Sequence, residues 1–409
     1  MRTFTVRHRQ LSAWVVFAGI TVAGCTAAPA TSPGASSDSG MSATQSVSPT
    51  PSGSSSPEPF SASAGQGCRL LAEGLSTEQQ AGQLFMVGVE TSGLSSAARR
   101  VISDGAAGSV VLLGNSEAGS ARIAALTEEI AAAAPEGMPV LVAVDQEGGK
   151  VTRLRGPGFS EIPSAVEQGR LADGELREQA SVWGRELRDA GVHVDLAPVA
   201  DVVPPGKTSS NAPIGKLNRN FGTDPGQVSR SVVEFTEGMQ EAGVLTSLKH
   251  FPGLGEVTVN TDFGQAEDSD ITADHEALEP FRAGIAAGAD SVMISSAVFT
   301  LIDAEQEGVF SPAVVTTLLR EQLGFEGVAI SDDLGAAVSV GGVSPGQRAV
   351  RFFAAGGDLL INADPALMDE MLQATVDWAA EDPANAERLA ESAGRVLELK
   401  QKAGLLSCD

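Results

Sequence analysis

The chain has 409 residues, with 52 acidic against 27 basic side chains, a formal net charge of −25, 42% hydrophobic residues and only 4% aromatic ones. That length holds one large domain with a tail or two ordinary domains, and the hydrophobic fraction suffices for a sizeable core. So acidic a surface repels phosphate backbones, which sets nucleic acid aside as a partner, and the lack of Tyr argues against a small aromatic-rich scaffold.

Arg2, Arg7 and Arg9 form a positive leader ahead of an almost wholly apolar run at 11–23. That run is shorter than the roughly 20 residues that span a bilayer, so it reads as the core of a signal peptide. It ends in Val22-Ala23-Gly24-Cys25. Small residues before a Cys resemble a bacterial lipobox, so residues 1–25 are expected to be a lipoprotein signal with Cys25 as the lipidated residue. The protein is then anchored on the outer side of the cell membrane through lipid alone. Residues 26–65 are rich in Ser, Pro, Thr, Gly and Ala. A segment of that composition buries no core and serves as a disordered tether.

Cys68 and Cys408 bracket the remainder, residues 66–409. The ends of a closed barrel lie close together, so a disulfide between them is expected in an oxidising compartment. Within that stretch, eight short apolar runs alternate with helical patterns. They fall at 83–89, 109–114, 140–145, 192–198, 245–251, 291–297, 327–333 and 358–363. Near-continuous apolar character fits parallel strands buried on both faces. Asp224-Pro225, Ser311-Pro312 and Ser344-Pro345 read as helix openings, Gly243 as a helix end, and Ser76 with Gln79 as a capping box. Val228, Val232, Phe235 and Met239 supply one helix's apolar stripe. Eight βα units in this length predict a single (β/α)8 TIM barrel. The alternative, an open doubly wound sheet, ordinarily carries a Gly-x-Gly-x-x-Gly turn after its first strand; Gly88-Val89-Glu90-Thr91 has none.

Barrel chemistry sits at the C-terminal ends of the strands. Asp145 ends the third run, Lys249-His250 lie in the fifth, Asp332-Asp333 end the seventh, and Arg219 follows the fourth. One strand-end Asp is usually a helix cap; charged groups on several ends together point to a site. Carboxylates mixed with hydroxyl-gripping donors suit glycoside cleavage. There is no His-Glu-x-x-His, no Cys-x-x-Cys and only four His, so no zinc site is expected. No motif calls for any other metal or cofactor, and no phosphate-binding loop or Gly-x-Ser-x-Gly elbow appears.

Four segments resemble glycoside hydrolase family 3 in its β-N-acetylhexosaminidase branch. Asp145-Gln146-Glu147-Gly148-Gly149-Lys150-Val151-Thr152-Arg153 is similar to D-[QH]-E-G-G-x-V-x-R, and Arg219-Asn220-Phe221-Gly222 to R-x-F-G. Lys249-His250-Phe251-Pro252-Gly253 is similar to K-H-F-P-G, and Ser331-Asp332-Asp333-Leu334 to S-D-D-L. The resemblance implies that Asp332 is the nucleophile of a retaining mechanism. It implies that Asp145, Arg153, Arg219, Lys249 and His250 hold the terminal sugar, with Glu147 as support. Asp333 suits a helix cap better than catalysis. His193 and His275 match nothing in the family and read as structural or solvated.

One loop departs from the pattern. The branch continues K-H-F-P-G-H-G-x-x-x-x-D-S-H, whose last His is the acid/base and whose Asp orients it. Here Leu254, Asn260 and Asp262 stand at the first His, the Asp and the last His. Asp262 is the favoured acid/base, its carboxyl raised from about 3.9 by enclosure near substrate. Glu256 is the second candidate, and a barrel that binds sugar without efficient turnover is the third reading. A carboxylate in that place repels phosphate, so hydrolysis is expected over phosphorolysis. The resemblance thus implies a monomeric exo-β-N-acetylglucosaminidase acting on peptidoglycan-derived glycans that contain N-acetylglucosamine. The alternatives are a catalytically impaired cell-wall sugar-binding lipoprotein and a β-glucosidase-like relative.

Overall fold

Eight parallel strands, each joined through a helical segment to the next, make the centre of the molecule: β1 (Phe85–Glu90), β2 (Ser109–Leu113), β3 (Leu141–Val144), β4 (Val194–Asp195), β5 (Leu245–Phe251), β6 (Ser291–Ile294), β7 (Val328–Ser331) and β8 (Leu360–Asn362). The computed structural model describes residues 62–408. The expected signal peptide, Cys25 and nearly all of the expected tether lie outside the described residues. The tether boundary at 65 needs correcting, because a helix already begins at Ala62 and runs to Glu73. Its last turns carry Leu70, Leu71 and Ala72, and its side packs on the C-terminal helix Pro383–Lys402.

Each strand pairs in parallel with its chain neighbours, and β8 pairs with β1. A bridge between Ile330 and Leu359 joins β7 to β8, with the Ser331 N–H donating to the Leu359 carbonyl at 3.0 Å. The sheet therefore closes into a (β/α)8 barrel, which rules out the open sheet. Strand alternation explains why these runs are apolar throughout. Met86, Val111 and Ala143 point into the barrel, while Val87, Val110 and Val142 point outward to the helices. Both sides are dry, so no polar phase survives along the strand.

The helix openings follow the sequence signals. Asp224 accepts the Gln227 N–H at 2.9 Å ahead of the helix Pro225–Glu241, whose Val228, Val232, Phe235 and Met239 are buried. Gly243 then turns the chain at φ +78. Ser76 and Gln79 form the reciprocal capping box. A helix opens at Ser344-Pro345 as read, although the Ser344 hydroxyl makes no cap bond. The segment after Ser311-Pro312 winds as a wide π-type helix, Ala313–Gln322. Cys68 and Cys408 are bonded, with Cα atoms 4.8 Å apart, which ties the first helix to the chain end. Among the described residues no helix is long and apolar enough to cross a membrane.

Candidate active site

A cavity of about 390 Å³ opens at the C-terminal ends of the strands. Asp145, Arg153, Arg219, Lys249, His250, Asp262 and Asp332 all line it. A larger hollow of about 840 Å³ lies at the other end of the barrel, against Leu245 and Val328 where strands begin; it holds none of the predicted residues. Barrel chemistry belongs to the C-terminal face, so the smaller cavity is the candidate site.

The floor is an ion-paired lattice. Lys249, on β5, places Nζ 2.6 Å from Asp145 Oδ1 and 2.6 Å from Glu147 Oε1. Glu147 in turn accepts two bonds from Arg219, from Nε at 2.8 Å and Nη2 at 2.7 Å. Its side chain is 3% exposed. Burial alone would raise the Glu147 carboxyl, but Arg219 and Lys249 outweigh it and hold the group well below the usual carboxylate range. Burial likewise disfavours the charged form of Lys249, and the carboxylates of Asp145 and Glu147 more than offset it, raising the ammonium. The hairpin that carries Glu147 needs Gly148 and Gly149, at φ +107 and +55. A Cβ on Gly148 would lie 2.2 Å from the Pro163 carbonyl oxygen.

His250 completes the floor. Its Nδ1 lies 2.8 Å from Asp201 Oδ2, and its Nε2 lies 3.3 Å from Arg219 Nη2. With Nδ1–H given to Asp201, Nε2 is the acceptor facing a guanidinium. A ring held this way is badly placed to act as proton donor. Arg153 reaches Asn115 Oδ1 at 3.4 Å through Nη1, and its buried Nε has no partner in the unliganded chain. Beneath this layer Asp195 is fully buried. Its Oδ1 accepts the Gln146 N–H at 3.0 Å, Oδ2 is unpartnered, and burial pushes the carboxyl up to about 8.

Two further carboxylates, Asp332 and Asp262, line the same cavity. Asp332 follows β7, its backbone N–H bound to the Ile294 carbonyl at 3.0 Å. Burial pushes its carboxyl up to about 6, and the charge of Asp262 adds to the rise. Asp333 instead accepts the backbone N–H groups of Gly335, Ala336 and Ala363 at 2.8, 3.0 and 2.9 Å, so it holds a turn and the chain after β8 and caps no helix, the next helices opening at Ala337 and Ser344. Asp262 is exposed, with its N–H bound to Asn260 Oδ1 at 3.0 Å. Glu256, the second acid/base candidate, is turned away: it is ion-paired to Lys207, its side chain is 10% exposed, and it does not line the cavity. Leu254 packs with Val257, Ile271 and Phe299, so an apolar anchor stands where a polar one was expected. Asn211 Nδ2 holds the same loop through the carbonyls of Leu254 and Val257 at 2.6 and 2.8 Å.

His193 Nδ1 accepts the Val142 N–H at 3.0 Å, and His275 Nδ1 accepts the Ala277 N–H at 3.2 Å; neither reaches the cavity. Sequence reasoning missed Asp201, Asp195 and Asn211. Asp201 was within reach, since it lies three residues past the end of the fourth run. Asn211 lies in an irregular loop and carries no such signal. Among the described residues no group of three or more His, Cys, Asp or Glu side chains forms a metal-ligating cluster.

Facing carboxylates above a floor of charged donors, at the C-terminal mouth of a (β/α)8 barrel, define a barrel glycosidase. Residues 76–399 match the glycosyl hydrolase family 3 N-terminal domain. A β-hexosaminidase of Stenotrophomonas maltophilia (strain R551-3) is 37% identical over 302 residues, covering 71% of this chain and 86% of that one. The crystal structure of β-N-acetylhexosaminidase from Beutenbergia cavernae DSM 12333 superposes with a TM-score of 0.78 at 44% identity, covering 80% of this chain and 99% of the other. A family 3 β-N-acetylglucosaminidase from Paenibacillus sp. str. FPU-7 gives 0.72 at 30% identity, over 81% of this chain and 63% of that one. The chain belongs to glycoside hydrolase family 3.

Proposed function

We propose that this protein is a retaining exo-β-N-acetylglucosaminidase that hydrolyses terminal N-acetylglucosamine from peptidoglycan-derived glycans. One observation carries the reading: Asp332 and Asp262 share a single cavity with Asp145, Arg153, Arg219, Lys249 and His250. The relatives named β-hexosaminidase and β-N-acetylglucosaminidase support the sugar.

In this mechanism the ionised Asp332 attacks the anomeric carbon and forms a glycosyl-enzyme. Asp262 protonates the leaving oxygen, then takes a proton from the water that releases the sugar. Asp145 accepts from sugar hydroxyls, while Arg153, Arg219 and Lys249 donate. His250 is committed to Asp201 and Arg219, and Glu256 to Lys207, which leaves Asp262 as the carboxyl free to move a proton. The exposure of Asp262 favours one competing reading, a sugar-binding barrel with feeble turnover, because an acid at work is enclosed. In the favoured reading the bound glycan supplies the enclosure. A single lipid on Cys25, a tether and a monomeric barrel place the site outside the membrane; that part rests on the residue pattern of 1–65 alone.

The test is hydrolysis of an aryl β-N-acetylglucosaminide and an aryl β-glucoside by residues 62–409 and the variants Asp332→Ala, Asp262→Ala and Glu256→Ala. Asp332→Ala abolishes turnover, Asp262→Ala spares glycosylation with the activated leaving group, and Glu256→Ala keeps catalysis. Wild-type rates unchanged by Asp332→Ala would end the assignment. Sugar 1-phosphate as the main product in phosphate buffer would end the hydrolytic part.

A further inference from the structure

Phe263 is the one aromatic ring among the described residues that is exposed, at 80%. It directly follows Asp262 and lines the same cavity. A single exposed hydrophobe carries no message, but this one has company. Of the seven large hydrophobics exposed among the described residues, three gather on this rim: Val259 at 41%, Phe263 and Val338 at 56%. The Val338 N–H donates to the Asp262 carbonyl at 3.3 Å, and Val259 Cγ1 lies 3.2 Å from where a Cβ on Gly264 would stand.

The rim is braced. Asn211 holds its first half, and the Ser339 N–H donates to the Thr261 carbonyl at 3.2 Å in its second. The ring is therefore presented on a built edge. The stretch 253–271 carries Glu256, Asp262, Glu267, Asp268 and Asp270 and no Lys or Arg, so this side is suited to a ring face and not to an anion. The donors that grip a terminal sugar lie across the cavity, on the elements after β3 and β4 and on β5. Asp262 and Phe263, neighbours in the chain, line this cavity together with Asp332, so a leaving group protonated by Asp262 would lie beside the ring of Phe263.

We infer that Phe263, flanked by Val259 and Val338, is the platform on which the leaving-group sugar ring packs, so that this chain prefers a pyranose leaving group over a small one. The electron-rich face of an aromatic ring attracts the slightly positive C–H face of a pyranose, and both surfaces leave water. This rests on the glycosidase reading above, and on Asp262 lying at the scissile oxygen.

The experiment compares the β-linked N-acetylglucosamine disaccharide with methyl β-N-acetylglucosaminide. Both leaving groups are poor and need protonation, and only the first brings a ring. Phe263→Ala raises KM for the disaccharide about tenfold and leaves both constants for the methyl glycoside within about twofold; Phe263→Trp restores the disaccharide KM. An equal loss on both substrates would mean that the ring places Asp262, and an unchanged disaccharide KM would mean that nothing packs there; either overturns the inference while the hydrolase reading stands. A wild-type protein that cleaves neither substrate, nor the aryl glycoside, sinks both.

Discussion

Replacing Glu147 by Gln tests whether the floor of the site is held by charge. The side chain keeps its volume and loses its negative charge, and its new amide hydrogens face two cations. Three short contacts depend on it: 2.7 and 2.8 Å to Arg219 and 2.6 Å to Lys249. Lys249, 2% exposed, keeps Asp145, and Arg219 keeps only the Pro213 carbonyl and His250. Removing one partner of a buried pair costs about 3–5 kcal/mol, mostly from the charge left behind. At about 2.1 cal/mol/K of unfolding entropy per residue over roughly 350 residues, 4 kcal/mol lowers the melting temperature by about 5 °C.

Calorimetry at pH 5 gives the clearest value. Asp195, whose carboxyl stands at about 8 partly because of Glu147, stays protonated there and cannot replace the missing charge. Misplacement of Lys249 and Arg219 lowers kcat/KM by on the order of tenfold to a hundredfold. A variant that melts within about 1 °C of wild type and keeps its KM would refute the lattice argument.

If Asp332 is the nucleophile proposed above, it must be ionised to attack, so kcat/KM falls on the acid side with a midpoint near its value of about 6; an acid limb at pH 4 would contradict this. Lys400 is fully buried, donates to Gln83 Oε1 at 2.5 Å, and burial pushes it down to about 7. The unfolded chain binds the extra proton between pH 7 and 10.5, so wild-type stability rises with pH through that window and the full penalty, on the order of 5 kcal/mol, applies below pH 7. Lys400→Met removes it and strands Gln83 at about 1–3 kcal/mol, so the variant is the more stable protein at pH 6 in urea titration and loses that advantage towards pH 10. Joining positions 340 residues apart constrains the unfolded chain, so Cys68→Ser with Cys408→Ser lowers stability by up to about 5 kcal/mol; an unchanged urea midpoint would show that the bond contributes nothing.

The barrel was legible because its strands are dry on both sides: each of the eight apolar runs overlaps a barrel strand. The ion-paired floor was legible only in part. Asp145 and Lys249 announce themselves by standing at strand ends and Arg219 by its place in the R-x-F-G segment, whereas the depth of Glu147 depends on a hairpin that folds it back under Lys249. Lys249 and His250 both line the cavity although they are neighbours in one strand, where alternation would send them to opposite sides. The role of Asn211 was invisible because its Nδ2 donates to backbone carbonyls more than forty residues away, and carbonyls carry no residue signature. The orientation of Glu256 was equally hidden, since it is decided by Lys207 in another loop.

The facing carboxylates make a sharper demand on the mechanism than either does alone. In the proposed mechanism the first chemical step needs Asp332 ionised and Asp262 protonated. Asp332 is half-buried, its carboxyl held up by desolvation and by the negative charge of Asp262, while Asp262 is open to water. In that mechanism the bound glycan covers Asp262 and presents a developing positive charge to Asp332. The coupling is measurable without the acid's own chemistry. With an aryl leaving group, which needs little protonation, Asp262→Asn retains enough activity for a pH profile. Deleting the Asp262 charge lets Asp332 ionise more readily, so the acid limb of kcat/KM moves to lower pH than in wild type. A limb that stays in place would show that the two carboxylates do not act on one another across the cavity, and Asp262 would then have no claim to the proton-transfer role.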